Sequence, residues 1–509
     1  MPGASGTSTL LRNALFSNVT TNLSGAGCTV RAEQITSDGA SYFKSDLGSC
    51  YLTNSLLVGV TTPGTFTSSQ TVQTLSSGVG VFRTVGAGAH YLADDTYRNQ
   101  GIPGVSIAGE LKRLTTYPPV VISSDFTSPT VLAPQAQRDT DVGDLGFHYY
   151  PVDFAWSGLN LTSSLILTNG VVVMNYGGAG TLIGDQALFI SEGRPEPLMN
   201  HLIRFNAVQE NSLNWGGGTS GSGALLMQNT IPFYAAPTIK LRFTEVTSMG
   251  SANAWVDPLF VGGPYTVNFT VQDSLLRGVA YSTWNSTLSA TPNHFFTNNI
   301  LLRPNIVFEQ GYVGTGWPMN VRLWNNLVQG GTFGFIYYSA AYGVFDVQNN
   351  LFDTVALTSS GTYTVDYNGF KSTTALGGTH NKTVTTADYQ TGPLGGFYYP
   401  PSGSGNLSTL INAGSVANAS TIGFYHKTVL TDQTKEGTSG LDIGFHYVAT
   451  AGSGATAPLD TNGDTLADYR QDVNGNGTVD GTETSWNTGY TSPNGVPSAT
   501  SFSLFTPVR

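Results

Sequence analysis

The chain has 509 residues, but only 10% of them are charged, and its formal net charge is −11. It contains no basic run, which argues against nucleic acid as a partner, and no apolar run near the ~18–20 residues that a transmembrane segment needs. Its 26 Phe and 24 Tyr residues supply a long core, so this polar, weakly charged composition is typical of an extracellular β-rich protein rather than a disordered one.

The N-terminal part predicts a first β-helical module over residues 1–150. The segments LLRNALF and YLTNSLLVGV place Asn13 and Asn54 at matching positions between apolar residues. A β-helix needs a cap over its first coil because an open coil exposes unpaired strand edges. The pattern begins almost at once, without a recognisable signal peptide. We therefore expect a longer or processed natural chain, or a second subunit over this end; the alternative is a small cap formed by the first few residues.

The two cysteines, Cys28 and Cys50, lie 22 residues apart within this module. One coil of a β-helix takes about that many residues and neighbouring coils stack at ~4.8 Å, which predicts that one side chain lies above the other. That separation suits a disulfide. The spacing favours a Cys28–Cys50 disulfide in an oxidising compartment, and the alternative is a pair of buried free thiols.

A hexapeptide of the form D-[LI]-G-F-H-Y occurs twice, at Asp144–Tyr149 and at Asp442–Tyr447. We interpret it as a duplicated terminating coil that closes each of two modules. His148 and His446 lie inside the two copies. Because no Cys or carboxylate set at ligand spacing accompanies them, we predict a structural role for both histidines.

A second, longer module is predicted over residues 151–450, and its clearest repeats read FFTNNILLRP, VRLWNNLVQG, VFDVQNNLFDT and YTVDYNGF. The first residue of each corner pair falls at Asn298, Asn325, Asn349 and Tyr367, in steps of 27, 24 and 18 residues. Repetition every ~20 to 30 residues without a helical period indicates a parallel β-helix. In that fold an inward Asn on every coil would form a ladder of amide hydrogen bonds. The predicted fold is therefore all-β.

The remainder predicts a flexible linker at 451–459, calcium-binding repeats at 460–486 and a Ser/Thr/Pro-rich tail at 487–509. The strongest signal is Asp472-x-Asn474-x-Asn476-Gly477-x5-Glu483, the pattern of an EF-hand-type loop. In such a loop, side-chain oxygens and one backbone carbonyl surround Ca²⁺, and a glycine permits the sharp turn. The predicted ligands are Asp472, Asn474, Asn476, Thr478 (through its carbonyl), Asp480 and Glu483.

A weaker copy of this loop begins twelve residues earlier. In it Thr465 replaces the glycine and Gln471 replaces the final Glu. The alternative for both loops is a cluster of polar turns without metal. The predicted ligands of the first loop are Asp460, Asn462, Asp464, Leu466 (through its carbonyl) and Asp468.

The Asn-centred coils, the LINAGS segment and the two D-[LI]-G-F-H-Y motifs over residues 10–448 resemble right-handed parallel β-helix repeats in large secreted or surface proteins of bacteria. The Asp/Asn run at 460–483 resembles thrombospondin type 3 calcium repeats, whose twelve-residue step it shares, more than dockerin repeats. The resemblance implies a right-handed coil, an extracellular or cell-surface location and Ca²⁺ as the bound ion. It lies in the pattern, so it implies fold and location more than activity.

An enzymatic function is the less favoured interpretation, although such β-helix proteins include pectin-active lyases and hydrolases. A glycosidase needs paired carboxylates, but Asp94-Asp95 is the sole Asp-Asp pair, and the polygalacturonase-like G-H-G and R-I-K motifs do not occur. For a lyase, Glu192, Arg194 and Glu196 form the nearest acidic and basic cluster, which a surface loop explains equally well. No catalytic residue is therefore predicted.

The favoured expectation is a non-catalytic, extracellular structural or adhesive β-solenoid with calcium-stiffened C-terminal repeats. An open first coil and an apolar tail predict head-to-tail self-association into a fibre. The alternatives are a polysaccharide-active lyase or hydrolase and a carbohydrate-binding surface protein. For the last of these, the candidates for sugar contact are Trp215, Trp255, Trp284 and Trp317.

Overall fold

The computed structural model describes residues 6–176, 179–195, 197–204, 209–210, 224–228, 236–247, 258–261, 267–284, 291–310, 318–481 and 483–488. Long sheets of parallel strands dominate this part of the chain. The strands form a parallel β-helix, which confirms the predicted fold class. The tail from residue 489 onward lies outside the described residues, as do Trp215, Trp255, Trp317 and the side chain of Trp284.

The N-terminal strands form one parallel sheet in which every strand bends near its middle. The bend lies at a residue with positive φ, namely Asn13 (46°), Gln34 (57°), Asn54 (46°) and Thr71 (50°). The sequence repeat marks two of these four bends, those at Asn13 and Asn54. Its strands are Ser8–Ser17, Thr29–Asp38, Ser49–Val58 and Ser68–Leu75, beside which Thr21–Ser24 pairs with Tyr42–Ser45.

The main stack consists of three parallel sheets, to which each complete coil contributes one strand apiece. Sheet I contains Thr130–Leu132, Ser164–Thr168, Leu188–Glu192, Thr238–Arg242, Asn268–Gln272, Asn293–Thr297, Asn320–Trp324, Phe345–Gln348 and Thr364–Asp366. Sheet II contains Val120–Val121, Phe154–Trp156, Val172–Asn175, Asn200–Arg204, Thr244–Thr247, Leu275–Arg277, Ile300–Leu302, Leu327–Gln329, Leu351–Asp353, Gly369–Lys371 and Lys382–Thr383. Sheet III contains Leu159–Leu161, Ala179–Ile183, Ala224–Gln228, Pro258–Val261, Ala280–Trp284, Asn305–Glu309, Thr332–Ile336 and Ala356–Ser360.

Buried residues alternate with half-exposed residues along the strands, and the buried side chains fill the space between the three sheets. In Asn293–Thr297, for example, His294 and Phe296 point inward. The ring of Phe296 lies 5.9 Å from that of Phe269 on the preceding coil and 5.5 Å from that of Phe308 in sheet III. Each coil thus buries its aromatic residues against its neighbours, which is why a single repeat has no core of its own.

A buried asparagine ladder runs along the corner between sheets I and II. Its members are Asn299, Asn326, Asn350 and Asn368, all fully buried. Each of the first three donates its backbone N–H to the Oδ1 atom of the next Asn at 2.9–3.0 Å and donates its Nδ2 to the same atom at 2.9–3.0 Å. The ladder is present as predicted, but the second residue of each corner pair forms it.

The first residue of each pair has a left-handed backbone, with φ of 56° at Asn298, 53° at Asn325, 58° at Asn349 and 54° at Tyr367. Asn tolerates this region better than most residues do. The three asparagine side chains hydrogen-bond to a segment packed outside the coil. In the Asn-Asn pairs, the first side chain therefore hydrogen-bonds to a segment outside the coil, and the second hydrogen-bonds to the next coil.

The two D-[LI]-G-F-H-Y copies, Asp144–Tyr149 and Asp442–Tyr447, pack outside the coils and are not themselves coils of the stack. We call them the outer segments. His148 exchanges two backbone hydrogen bonds with the side chain of Asn13, at 2.7 and 2.9 Å. His446 makes the same pair with Asn298, at 2.7 and 2.8 Å. The interpretation as terminating coils was wrong in this respect, because the motif pairs with the bent corner rather than with a strand ladder.

The module boundary at residue 150 does not coincide with a change of sheet. Val120–Val121 and Thr130–Leu132 already pair with strands of the main stack, and the chain then returns to the N-terminal sheet before it re-enters the stack. The predicted linker at 451–459 is also more ordered than expected. Ala451 donates to Ala457, and Leu459 donates to Ala449 at 2.9 Å.

Cys28 and Cys50 do not form the predicted disulfide; both thiols are free and buried. Cys50 pairs with Val30, two residues beyond Cys28. That offset of ~6.6 Å along the strand, combined with ~4.8 Å between strands, exceeds the Cα separation that a disulfide spans. Burial raises the pKa of the Cys50 thiol to about 11.

Short elements complete the fold of the described residues, among which no helix is long and apolar enough to cross a membrane. The antiparallel pairs are Phe82–Val85 with Gly88–Leu92, Gln390–Gly392 with Gly395–Tyr398, and Lys427–Thr428 with Tyr447–Val448. The α-helices are Ala108–Leu111 and Asp468–Gln471, and the 3-10 helices are Asp95–Tyr97, Ala340–Tyr342, Leu407–Leu410 and Ala419–Ile422.

Candidate functional site

A groove crosses the outer face of sheet II between the two outer segments. Its floor consists of outward side chains from successive strands, including His201, Glu245 and Arg277, and its volume is about 1030 Å³. Lys112, Arg113, Arg138 and Tyr150–Val152 form its N-terminal wall, and Pro393–Phe397 with Phe445–Val448 forms its C-terminal wall. We call this site the sheet II groove.

The floor of the groove carries a row of polar side chains on adjacent strands. His201 pairs with Glu245 in the strand register, and its Nδ1 lies 3.5 Å from Glu245 Oε2. Arg277 Nε donates to Glu245 Oε1 at 2.7 Å. Burial lowers the pKa of His201, although Glu245 and Asp153 oppose that shift. A neutral imidazole, a carboxylate and a guanidinium therefore lie in line at the base of the groove.

The N-terminal wall adds positive charge and an exposed aromatic ring. Lys112 and Arg113 are exposed at its rim, and no acid among the described residues forms a salt bridge with either of them. Arg138 lies nearby, 3.9 Å from Asp153. Tyr150 is 75% exposed, which is unusual for a large aromatic side chain on a folded surface. This wall can thus contact both a negative charge and an apolar ring face.

The positive charge continues past the groove along sheet II. A second cavity of about 310 Å³ shares Arg277 with the groove and is lined further by Arg303 and Lys371. Lys371 is paired with Asp353 at 3.1 Å. Basic side chains on several coils therefore extend along one face of the stack.

A buried ion-pair network fixes the C-terminal wall to the stack. Lys427 pairs with Asp273, and Arg242 Nε donates to the other oxygen of Asp273 at 3.2 Å. Asp273 also accepts from Asn298 Nδ2 at 2.7 Å. The two cations hold the pKa of Asp273 below its usual range despite full burial. Removal of either partner would leave an uncompensated buried charge, so this network keeps the groove wall in place.

The second predicted calcium loop adopts the turn that its sequence pattern requires. Asp472 accepts from the backbone N–H groups of Asn476 at 3.1 Å and Gly477 at 2.6 Å. Gly477 has φ 78°, and a Cβ at this position would collide with the ring of Tyr425. Thr478 follows the glycine, where the pattern requires a backbone carbonyl ligand. Glycine is therefore needed here for both conformation and space.

The remaining predicted ligands of that loop converge from its other side. Asp480 lies 3.1 Å from Asn474 Nδ2 and 2.8 Å from Asn476 Nδ2. Glu483 returns to the start of the loop, where its carboxylate accepts from the backbone of Asn474 at 3.1 Å and of Asp480 at 3.3 Å. Five of the six predicted ligands are thus linked by hydrogen bonds that involve their side chains, and their oxygen atoms are of the type that calcium binds.

The first loop is brought together less completely. Asp460 accepts from Gly463 at 2.7 Å and from Thr465 at 2.8 Å, and Thr465 has φ 76° where the pattern prefers glycine. The side chains of Asn462, Asp464 and Gln471 converge at 2.9–3.4 Å.

Asp468 is the predicted ligand that lies apart from this convergence. Its carboxylate accepts from the backbone of Thr461 at 2.7 Å and from the Thr461 hydroxyl at 2.6 Å. Leu466, predicted to act through its carbonyl, follows Asp464 and is half-buried. The first loop therefore offers a weaker donor set than the second.

Both loops pack against the C-terminal part of the solenoid. Trp486 lies 4.8 Å from the ring of His426, and Tyr469 lies 5.5 Å from that of Phe243. His426 Nε2 lies 2.9 Å from Asp472 Oδ2, in the second loop. The loop region is thus continuous with the groove wall.

Carboxylates surround His148 and His446, although the sequence showed no such cluster. Asp139 and Asp144 lie beside His148, and Glu436 and Asp442 lie beside His446, all buried and with their ligand-type atoms within 4.8 Å of one another. The Asp of each motif was present in the sequence, but the third residue comes from a separate turn. The structural role predicted for the histidines is supported by their backbone contacts with Asn13 and Asn298. The carboxylates around the two histidine rings are a further feature, which the sequence analysis did not predict.

The predicted acidic and basic cluster around Glu192 lies at the edge of the stack. Glu192 and Arg194 line a small cavity with Tyr469, and Glu192 Oε1 lies 3.4 Å from Arg242 Nη1. Glu196 lies outside the described residues. Sequence reasoning missed the groove because its residues are separated by tens to hundreds of positions and carry no shared local motif.

Comparison with protein families, with curated proteins and with solved structures found no match to this chain.

Proposed function

We propose that this protein is an extracellular, adhesive β-solenoid that binds an anionic polysaccharide in the sheet II groove. The observation that carries the proposal is an open groove of about 1030 Å³ with basic side chains on its floor and wall. Pockets for drug-sized ligands occupy ~300–1,000 Å³, so this groove has room for several sugar rings.

The charges of the groove favour an anionic ligand even though the whole chain is acidic. Lys112 and Arg113 have no acidic salt-bridge partner among the described residues, and the cavity with Arg303 and Lys371 continues the basic face. Charged surfaces of this kind attract ligands of opposite sign, and salt screens that attraction. The exposed ring of Tyr150 supplies an apolar face of the kind that packs against sugar rings.

The test is to measure binding of polygalacturonate, alginate and neutral dextran by the full chain at low and high salt. The Lys112→Ala/Arg113→Ala double variant should weaken binding of the acidic polymers by about tenfold and should reduce the salt dependence. Arg83→Ala is the matched control, because Arg83 is exposed outside the groove. Equal losses in the control, or no binding of either acidic polymer, would remove the proposal.

A polysaccharide lyase is the second candidate, and the row His201, Glu245 and Arg277 supports it. A lyase needs a base to remove a proton and a cation to stabilise the resulting negative charge. A neutral His201 supplies the base, and Arg277, on the other side of Glu245, supplies the cation. The groove suits a hydrolase less well. Of its described carboxylates, Asp273 is held in the ionised form by Lys427 and Arg242. Release of unsaturated products, followed by their ultraviolet absorbance and lost in His201→Ala, would establish the lyase.

The C-terminal loops are proposed to bind Ca²⁺, through the donor sets described above. A bound calcium ion would neutralise the clustered carboxylates and favour the folded form, by about 2.7 kcal/mol at a hundred times the dissociation constant. Calcium titration of the wild type and Glu483→Gln tests this, with Asp432→Asn as control because Asp432 is an exposed acid outside the loops. Equal calcium affinity in all three proteins would refute the assignment.

Self-association remains part of the proposal, supported by the exposed last strand of sheet III. Ala356–Ser360 is mostly exposed and ends the strand order of that sheet. An exposed strand edge is a template for pairing with another chain. Sedimentation and negative-stain imaging with calcium and then with chelator would distinguish filaments from single rods.

A further inference from the structure

We propose that Glu436, Asp442 and His446 form a binding site for a divalent transition-metal ion such as Zn²⁺. In the equivalent cluster of Asp139, Asp144 and His148, a hydrogen bond between His148 and Asp139 takes the place of the ion. Both clusters belong to copies of the same hexapeptide motif, so each serves as a reference for the other.

The orientation of the His446 ring leaves one nitrogen available for the ion. Its Nδ1 lies 2.9 Å from the carbonyl oxygen of Gly444, which can only accept a hydrogen bond, so Nδ1 carries a proton. Metal-binding histidines are usually oriented in this way, through a hydrogen bond from the other ring nitrogen. The free nitrogen, Nε2, faces the carboxylates of Glu436 and Asp442.

The Nε2 atom is buried and has no hydrogen-bond partner. The His446 side chain is 0% exposed, and Nε2 makes no hydrogen bond among the described residues. With the proton of a neutral ring on Nδ1, the lone pair lies on Nε2 and points toward Glu436 and Asp442. A lone pair and a carboxylate oxygen repel each other unless a proton or a cation lies between them.

The distance between these atoms is compatible with a cation bound to both. Nε2 lies 3.2 Å from Glu436 Oε1. With bonds of ~2.1 Å from the metal to each atom, two ligands at a tetrahedral angle lie ~3.4 Å apart. One imidazole nitrogen and two carboxylates are a donor set that zinc accepts, and water can complete it.

The first cluster differs in the distance from the histidine Nε2 atom to its acidic partner. His148 Nε2 lies 2.7 Å from Asp139 Oδ2, within the range of a charge-assisted hydrogen bond. Its Nδ1 is likewise fixed, at 3.0 Å from the carbonyl of Gly146. The Nε2 and Oδ2 atoms are closer together than the ~3.4 Å expected for neighbouring ligands of a tetrahedral zinc site. This hydrogen bond gives His148 Nε2 the partner that His446 Nε2 lacks.

His446 is among the residues that line the sheet II groove, between Phe445 and Tyr447, but its ring is fully buried. Site occupancy would not depend on what the groove binds. The metal site and the proposed function can therefore succeed or fail separately.

The experiment is a titration of the metal-free full chain with Zn²⁺, and in parallel with Co²⁺, with calcium in excess to saturate the C-terminal loops. We expect one tightly bound Zn²⁺ per chain. His446→Gln should lower the zinc affinity by at least about 100-fold, whereas the matched His148→Gln should leave it unchanged. Circular dichroism and thermal melting check that both variants are folded.

A second readout does not depend on the variants. The visible absorption of Co²⁺ bound to wild type should report a site of low coordination number, and the X-ray absorption of bound Zn²⁺ should report a single imidazole ligand. No zinc bound by wild type, an equal effect of the two substitutions, or a metal environment without nitrogen would overturn the proposal.

Discussion

Replacing Asn326 with leucine tests whether the buried ladder stabilises the coil. Asn326 makes five hydrogen bonds through its side chain: Oδ1 accepts from the backbone and side-chain nitrogens of Asn299, and Nδ2 donates to Phe296, Trp324 and Asn350. Leucine has a similar size but can make none of them. Both nitrogens of Asn299 would then be buried without this acceptor, at ~1–3 kcal/mol each, so we expect a loss of about 4 kcal/mol.

The matched control is Asn305→Leu, because Asn305 is a half-buried Asn in the same part of the stack whose Oδ1 accepts from Thr332 at 2.8 Å. Its expected cost is ~1 kcal/mol or less. Guanidinium unfolding followed by circular dichroism gives the shift in stability, and hydrogen exchange at the Asn299 amide gives the local effect. Because a solenoid need not unfold in two states, the exchange data carry the local conclusion. A loss below ~1 kcal/mol for Asn326→Leu, or an equal loss in the control, would refute the reasoning.

Three further predictions concern single residues. Thr465→Gly should raise the calcium affinity of the first loop and add ~1 kcal/mol of stability, because Thr465 has φ 76°; unchanged calcium affinity in a titration would contradict it. Burial depresses the pKa of His294 to about 3, so its contribution is present above the unfolded pKa of ~6.5 and is lost as pH falls toward 3. The wild type should therefore lose ~2 kcal/mol from this group between pH 7 and 5, a loss that denaturant titration should find absent in His294→Gln. Thiol titration should detect neither Cys28 nor Cys50 in the native protein and both after denaturation, whereas a disulfide would leave both undetected.

The sequence predicts the coil period and the corner positions well because both are local. An Asn pair between short apolar strands marks a turn that needs one left-handed residue, and Asn298, Asn325 and Asn349 all take that conformation. The sequence could not show which Asn of each pair faces inward, since the two residues are chemically identical. It also could not show that the ladder continues through Ser274, whose backbone N–H donates to Asn299 Oδ1 at 3.0 Å.

The calcium loops and the groove differ in how far apart their residues lie. The second loop draws its donors from Asp472 to Glu483, so its spacing in the sequence directly reflects its geometry. The groove instead combines Lys112, His201 and Phe397. These positions meet only after the strands are in register and both outer segments have docked. A sequence pattern therefore predicts a site like the calcium loop, whereas a site like the groove is visible only in the three-dimensional structure.

The repeated hexapeptide shows that docking and side-chain chemistry are separable in this fold. Asn13 and Asn298 bind the backbone of His148 and His446, not their rings. Two backbone hydrogen bonds repeat as well. The N–H of Gly146 donates to the carbonyl of Asn54 at 2.9 Å, and the N–H of Gly444 donates to the carbonyl of Asn349 at 2.8 Å.

Since the backbone carries the docking, the ring and its acidic partners are free to differ between copies. They do differ, with Asp139 in one cluster and the longer Glu436 in the other. For the same reason, substitution of either histidine should leave its segment docked on the bent corner. The His446→Gln and His148→Gln pair therefore compares the two clusters while the fold around them is retained.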